Sequence, residues 1–138
     1  GPGEPARAAA ARAPVSVLLL TRGGAVGPPI LAAYDGSPAG DRALELAARL
    51  AAAGAGDLEV LVAARDLEAS QALAEQARRR LDRPGVRARW AGGDRLEDLV
   101  GAAPSHALLV VGADAPLLAE GGRERLLDLA RCPVLLAR

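Results

Sequence analysis

Ile30-Leu-Ala-Ala-Tyr-Asp-Gly-Ser-Pro38 decides the fold of this chain, because it joins a buried strand to the start of a helix. The apolar run at residues 30–34 has the length of a buried strand and is too short for a helix. Gly36 can adopt a positive φ, so the chain can turn sharply after the strand. Ser37 can cap the next helix, and Pro38 suits its first position, which needs no N–H donor. The stretch therefore predicts a strand, a tight turn and a helix N-terminus.

Asp35 follows this strand directly, at the place where ligands bind in open α/β sheets. The N–H groups at the start of the following helix would favour an anion nearby. The carboxylate has two interpretations. It contacts a bound ligand, or it only accepts N–H bonds in its own turn, as Asp often does.

Strand and helix patterns alternate through the rest of the chain. Strands are predicted at residues 30–34, 58–64, 86–91, 106–112 and 133–137, and helices at residues 38–53, 67–81, 95–103 and 122–130. Asp66 is predicted to cap the second helix, and Asp94 the third, with Glu97 at capping-box spacing. This alternation indicates a doubly wound, Rossmann-like α/β domain: an open parallel sheet of five strands with helices on both faces.

Composition narrows the classes of function. The chain has 138 residues and zero net charge, so one domain is expected and neither nucleic acid nor a membrane surface is an expected partner. All 17 basic residues are Arg, which is typical of a GC-rich bacterial genome. Cys132 is the only cysteine, which excludes an internal disulfide and favours a reducing cytoplasm. No apolar run approaches the roughly 20 residues that cross a bilayer.

The region before the core is predicted to have two parts. Residues 1–14 carry no pattern and are expected to be a flexible tail, and residues 15–28 an extra strand and a linker. The last core strand would otherwise leave an unpaired apolar edge. The extra strand, at residues 15–21, is therefore predicted to lie antiparallel beside it. The α/β domain itself is expected at residues 29–138.

Two similar segments raise a question about the parent protein. Val17-Leu-Leu-Leu-Thr-Arg22 is similar to Pro133-Val-Leu-Leu-Ala-Arg138, at the end of the chain. The first segment is either the remnant of a preceding domain of the same kind or a chance match between two strands rich in Leu and Val. Both interpretations remain open.

Four segments in order resemble those of universal stress protein domains. They are Ile30-Leu-Ala-Ala-Tyr-Asp-Gly-Ser-Pro38, Ala91-Gly-Gly-Asp94, His106-Ala-Leu-Leu-Val-Val-Gly112 and Arg131-Cys-Pro-Val-Leu-Leu-Ala-Arg138. The resemblance covers residues 29–138 and implies a sheet ordered 3-2-1-4-5, counted from the strand at Ile30. It also implies dimerisation through the last strand and, in one branch of the family, a bound adenine nucleotide.

The resemblance assigns candidate nucleotide-binding residues. In the ATP-binding branch, an Asp follows the first strand, a backbone group at the end of the second contacts the nucleotide, and a glycine-rich loop follows the fourth. Asp35 with Gly36 matches the first feature, and Ala64 lies at the second. Gly112 matches the first glycine of the loop, whose pattern is Gly, two residues, Gly, nine residues, Gly, then Ser or Thr.

The rest of the loop departs from that pattern. Ala115 stands at the second glycine position and is followed by Pro116, which lacks an N–H donor for phosphate. Gly121 and Gly122 come earlier than the pattern requires, and Arg123 stands where a hydroxyl would help to hold phosphate. The loop is therefore interpreted as degenerate. No cofactor is expected, and any binding of ATP or AMP is expected to be weak.

These features predict a regulatory or interaction module of a bacterial stress response, and not an enzyme. It is expected to self-associate, or to join a second such domain, through the edge strand. The sequence does not indicate any other protein partner. An adenine-nucleotide sensor is the alternative. The chain has no Lys and so no Walker-type lysine, and His106, its only histidine, has no nucleophile at an informative spacing. No catalytic or metal-binding residue is predicted.

Overall fold

Strands and helices alternate along the computed structural model, which describes residues 17–19, 27–54, 56–83 and 86–138. The strands are β1 (Val17–Leu19), β2 (Gly27–Tyr34), β3 (Leu58–Val62), β4 (Arg87–Trp90), β5 (Ala107–Gly112) and β6 (Val134–Ala137). The helices are α1 (Pro38–Ala52), α2 (Leu67–Leu81), α3 (Leu96–Ala102) and α4 (Gly122–Leu129), and a 3-10 turn spans Pro116–Leu118. No helix in these ranges is long and apolar enough to cross a membrane.

Five strands form a parallel sheet in the spatial order β4-β3-β2-β5-β6. Counted from β2, this is the predicted order 3-2-1-4-5, which is therefore confirmed. The chain moves outward from β2 to β4 on one side and returns to build β5 and β6 on the other. The order reverses between β2 and β5, and in open α/β sheets ligands bind outside the carboxyl ends of the strands at such a point.

β1 lies at the end of the sheet next to β6. It runs antiparallel to β6, with Val17 opposite Leu136 and Leu19 opposite Val134. The other residues of the extra strand predicted at 15–21, the tail predicted at residues 1–14 and the predicted linker up to residue 26 lie outside the described residues. Gly27 and Pro28, predicted as the end of the linker, belong to β2 instead.

Each face of the sheet buries its own apolar cluster, because successive residues of a strand point to opposite faces. On β2, Ile30, Ala32 and Tyr34 pack against α1 and α2, whereas Leu31 and Ala33 belong to the cluster that α3 and α4 cover. The predicted helices on both faces are therefore confirmed. This arrangement fixes the carboxyl ends of the central strands, where the candidate site lies.

Two helix caps that were predicted from local sequence are confirmed. The Ser37 hydroxyl accepts a hydrogen bond from Gly40 N at 3.1 Å, and the Asp66 carboxylate accepts one from Ala69 N at 2.8 Å. Each cap provides a partner for one of the N–H groups that a helix leaves unpaired in its first turn.

The prediction for the start of α3 is wrong by one residue. The cap position is Arg95, not Asp94, and the Asp98 carboxylate accepts a hydrogen bond from Arg95 N at 3.1 Å. Gly92 has a φ of 90°, and the bend that it opens continues through Arg95. The helix therefore begins one residue later, and Asp98 takes the place predicted for Glu97.

Tyr34, the last residue of β2, has a buried side chain whose hydroxyl accepts a hydrogen bond from Gln76 Nε2 at 2.7 Å. Burial raises the pKa of Tyr34 above its ordinary value, and the neighbouring carboxylate of Asp41 raises it further. The folded state therefore holds the phenol proton more firmly than the unfolded chain does.

We expect this difference to destabilise the protein at alkaline pH. Above a pH of about 10 the unfolded chain loses the phenol proton while the folded state retains it, so stability falls as pH rises. Tyr34 is the only tyrosine, so tyrosinate absorbance reports its titration directly. Tyr34→Phe is the control and should show a flatter decline over the same range. A folded-state titration at the ordinary tyrosine pKa would contradict this account.

Candidate functional site

A cleft of about 370 Å³ opens at the carboxyl edge of the sheet. It is lined by residues that follow β2, β3, β4 and β5 and by the first turns of α2, namely Asp35, Ala63, Ala64, Arg65, Asp94, Pro116, Leu117, Ala69 and Leu73. Its volume lies within the usual range for small-molecule sites. Two of the predicted site residues, Asp35 and Ala64, are therefore brought together at the predicted place.

The Asp35 carboxylate binds its own turn. Its Oδ1 accepts hydrogen bonds from Ser37 N at 3.0 Å and from Ser37 Oγ at 2.5 Å. Gly36 has a φ of 83°, which favours glycine, and a Cβ there would lie 2.8 Å from the end of the Leu73 side chain. Of the two roles that the sequence left open for Asp35, the turn contact is present, and Asp35 also borders the cleft.

Both backbone polar groups of Ala64 have partners within the protein. Ala64 N donates to Gly93 O at 3.1 Å, and Ala64 O accepts from the indole Nε1 of Trp90 at 2.7 Å. The backbone group that the resemblance assigned to a nucleotide contact is therefore already hydrogen-bonded. A ligand that needs the Ala64 N–H would have to displace Gly93 O, whereas Ala64 O keeps a second lone pair as an acceptor.

Four backbone N–H groups of the loop after β5 are used within the loop, among them Ala115 N, which donates to Gly112 O at 3.0 Å. Leu118 N donates to Ala115 O at 2.9 Å, Ala119 N to Pro116 O at 3.1 Å, and Gly122 N to Ala119 O at 3.2 Å. A phosphate loop needs successive N–H groups that point at the ligand. Here the 3-10 turn takes up the donors of Leu118 and Ala119, so these two do not point at a ligand.

The candidate glycines around this loop have packing or turn roles. A Cβ on Gly112 would lie 2.6 Å from Ala39 Cβ, so glycine allows the first turn of α1 to approach β5 closely. Gly121 has a φ of 83° at the cap position of α4. A Cβ on Gly122 would lie 2.9 Å from Leu117 O. None of the three has to be explained by a bound phosphate.

The cationic side chains near the loop have protein partners. Arg123 donates to Ala113 O at 3.0 Å, which ties α4 to the end of β5. Arg125 forms an ion pair with Glu97. Arg42 forms an ion pair with Asp114, and this hydrogen bond lowers the pKa of the Asp114 carboxyl below its ordinary value.

The charges that line the cleft do not favour a polyphosphate. Its lining includes two carboxylates, Asp35 and Asp94, and one guanidinium, Arg65, so the net charge of the lining is negative. Since like charges repel, this balance opposes binding of a triphosphate that brings no cation of its own. In the part of the chain that the structure describes, no group of three or more His, Cys, Asp or Glu side chains could hold a metal ion.

Trp90 is the residue at this site that sequence reasoning missed. A half-buried indole N–H needs an acceptor, and the parallel pairing of Trp90 with Val62 brings it close to Ala64. This pairing depends on the strand register, which the sequence pattern alone does not define.

Ser37→Ala should lower the free energy of unfolding by about 0.5–2 kcal/mol, because Gly40 N loses its cap. Ser105→Ala is the control, because Ser105 is exposed and its hydroxyl has no hydrogen-bond partner among the described residues. Urea denaturation measures both variants. Equal stability of the two would show that the Ser37 cap contributes nothing.

Comparison with known proteins gives no family assignment. No protein-family model matches the chain, and no curated protein matches it.

Proposed function

We propose that this chain is a regulatory or interaction module of the universal stress protein kind, acting in the bacterial cytoplasm, with weak or no ATP binding and no enzymatic activity. The observation that carries the proposal is the hydrogen bonding of Ala64, whose N–H and C=O are both bound within the protein. The four sequence segments and the strand order support the family, and the use of the Ala64 N–H by Gly93 and of one Ala64 O lone pair by Trp90 supports weak nucleotide binding.

The loop after β5 supports the same conclusion independently of Ala64. Four of its N–H groups bond within the loop, and the guanidinium of Arg123, a candidate replacement for backbone donors, is bound to Ala113 O. A triphosphate would have to break several of these hydrogen bonds, and the cleft offers it one guanidinium in return. Weak binding follows from this balance.

Purified protein tests the proposal without any added ligand. The chain has one Trp and one Tyr, so one adenine per chain would dominate its near-ultraviolet spectrum. Protein purified without nucleotide should show the spectrum of protein alone. Co-purified ATP at one molecule per chain would contradict the proposal.

An adenine-nucleotide sensor is the second candidate, favoured by the cleft beside Asp35 at the point where the strand order reverses. If a nucleotide binds there through Asp35, Asp35→Ala should weaken binding by about 1.5–3 kcal/mol, the usual contribution of a charged hydrogen bond. Asp128→Ala, at an exposed position on α4, is the control. An affinity that Asp35→Ala leaves unchanged would restrict this carboxylate to its turn.

The proposed route of self-association is the edge of β6. Unpaired strand edges invite pairing with another chain, and β1 occupies this edge in the proposed arrangement. The segment containing β1 is then either part of the domain or the remnant of a preceding one.

Deletion of residues 1–21 should therefore expose β6 and cause self-association, measured by analytical ultracentrifugation. Deletion of residues 1–14 is the control, because it leaves β1 in place, and this shorter deletion should behave as the full chain does. A protein without residues 1–21 that stays monomeric and soluble would refute the role proposed for β1.

A further inference from the structure

A basic groove of about 530 Å³ runs along β4, the strand at the opposite end of the sheet from β1. Three arginines and one glutamate line it, together with Val86 and Ala88: Arg78, Arg87, Arg89 and Glu59. The groove therefore carries a net positive charge. Arg78 is held by the carbonyl of Val86 at 3.2 Å, so it is positioned beside the start of β4.

Part of the β4 backbone faces away from the sheet. Ala91 N donates to Val62 O at 2.9 Å, so Ala91 points its backbone groups at β3. In a parallel pair, alternate residues bond to the same neighbour. Arg87 and Arg89 therefore also point their backbone groups at β3, whereas those of Ala88 and Trp90 point outward. No strand of the described residues pairs with them.

The side chains of β4 differ between its two faces. Arg87 and Arg89 lie on one face, and Ala88 and Trp90 pack against the apolar cluster on the other. The Arg89 guanidinium donates hydrogen bonds to the Glu59 carboxylate at 2.5 Å and to Ala102 O at 2.6 Å. Arg87 is exposed and has no ion-pair partner in the part of the chain that the structure describes.

We propose that this edge binds an extended peptide in which acidic and apolar residues alternate, added to the sheet as a further strand beside β4. Its backbone would pair with Ala88 and Trp90, its acidic side chains would lie beside Arg87 and Arg89, and its apolar ones beside Ala88 and Trp90. Trp and Arg are the residues most enriched among those that dominate interface energies. This inference rests on the proposed interaction role and gives it a partner of defined chemistry.

Arginines on an edge strand also protect it from aggregation. That protection acts against basic and uncharged strands, but an acidic strand is attracted by the same charges. The arginines can therefore both prevent aggregation and bind an acidic strand. An acidic peptide should bind to this edge, whereas a basic peptide should be repelled.

Fluorescence polarisation with three labelled peptides tests the proposal. One carries three Glu-Val repeats, one has the same residues in two blocks, and one carries three Lys-Val repeats. The alternating acidic peptide should bind at least about tenfold more tightly than the other two. Arg87→Glu should weaken it at least tenfold, whereas Arg131→Glu, the same charge change at an exposed position before β6, should not. Loss of either difference would overturn the inference.

Amide hydrogen exchange distinguishes strand addition from attraction by charge alone. On binding the acidic peptide, the amides of Ala88 and Trp90 should exchange more slowly, because they gain partners. Unchanged exchange at both would overturn strand addition, even if the peptide binds. If none of the peptides binds and ATP does not bind either, this docking site is refuted, whereas the proposed function is not. ATP binding would instead contradict the proposed function.

Discussion

Gly112→Ala should lower the free energy of unfolding by about 1–3 kcal/mol or more, because it places a methyl group where the first turn of α1 crosses β5. The new Cβ would lie 2.6 Å from Ala39 Cβ and 2.7 Å from the carbonyl carbon of Ala39. A main-chain carbonyl cannot turn away as a flexible side chain can. Relief of the contact therefore requires α1 to move away from the sheet.

Gly101→Ala is the matched control, because it makes the same chemical change where a Cβ meets nothing within 4 Å. Gly101 lies within α3, where alanine is favoured over glycine by about 1 kcal/mol, so its replacement should leave stability unchanged or raise it slightly. Chemical denaturation of both variants measures the difference. A Gly112→Ala protein as stable as the wild type would show that α1 does not pack this closely.

Trp90→Phe should lower the free energy of unfolding by about 1–3 kcal/mol, because Ala64 O is buried and loses its indole donor. Trp90→Ala should cost more, since it also removes the packing of the ring against the cluster beneath α2. Thermal melts followed by circular dichroism suit both variants, because the chain has no other tryptophan to report fluorescence.

Comparison of the two variants separates the hydrogen bond from the packing. The loss in Trp90→Phe measures chiefly the N–H donor, and the further loss in Trp90→Ala measures the ring. If Trp90→Phe is as stable as the wild type, the indole N–H does not stabilise the fold by binding Ala64 O. Neither variant is expected to gain ATP binding, because the loop after β5 stays folded on itself.

Local chemistry explains why part of this structure could be predicted from sequence. The turn at Gly36, the cap at Ser37 and the cap at Asp66 each depend on residues within three positions of one another. The alternation of strands with helices then leaves few topologies for a parallel sheet. The strand order of the five-stranded core follows the resemblance and is confirmed.

The features that sequence reasoning missed depend on contacts between distant residues. Trp90 and Ala64 are 26 positions apart, and Gly112 meets Ala39 only because α1 crosses β5. Arg123 was a candidate for phosphate binding, but its guanidinium donates to Ala113 O, ten positions earlier in the chain. The sequence motifs therefore identified the region in which the candidate residues lie. The contacts that these residues make depend on tertiary packing, which no local sequence pattern encodes.

Titration calorimetry with ATP, AMP and adenosine, with and without magnesium, tests the central claim most directly. The hydrogen bonds that Ala64 and the loop after β5 make within the protein predict no saturable binding, or dissociation constants weaker than about 1 mM. One-to-one binding with a dissociation constant near 1 μM, weakened by Asp35→Ala, would contradict the account and make the chain a nucleotide sensor.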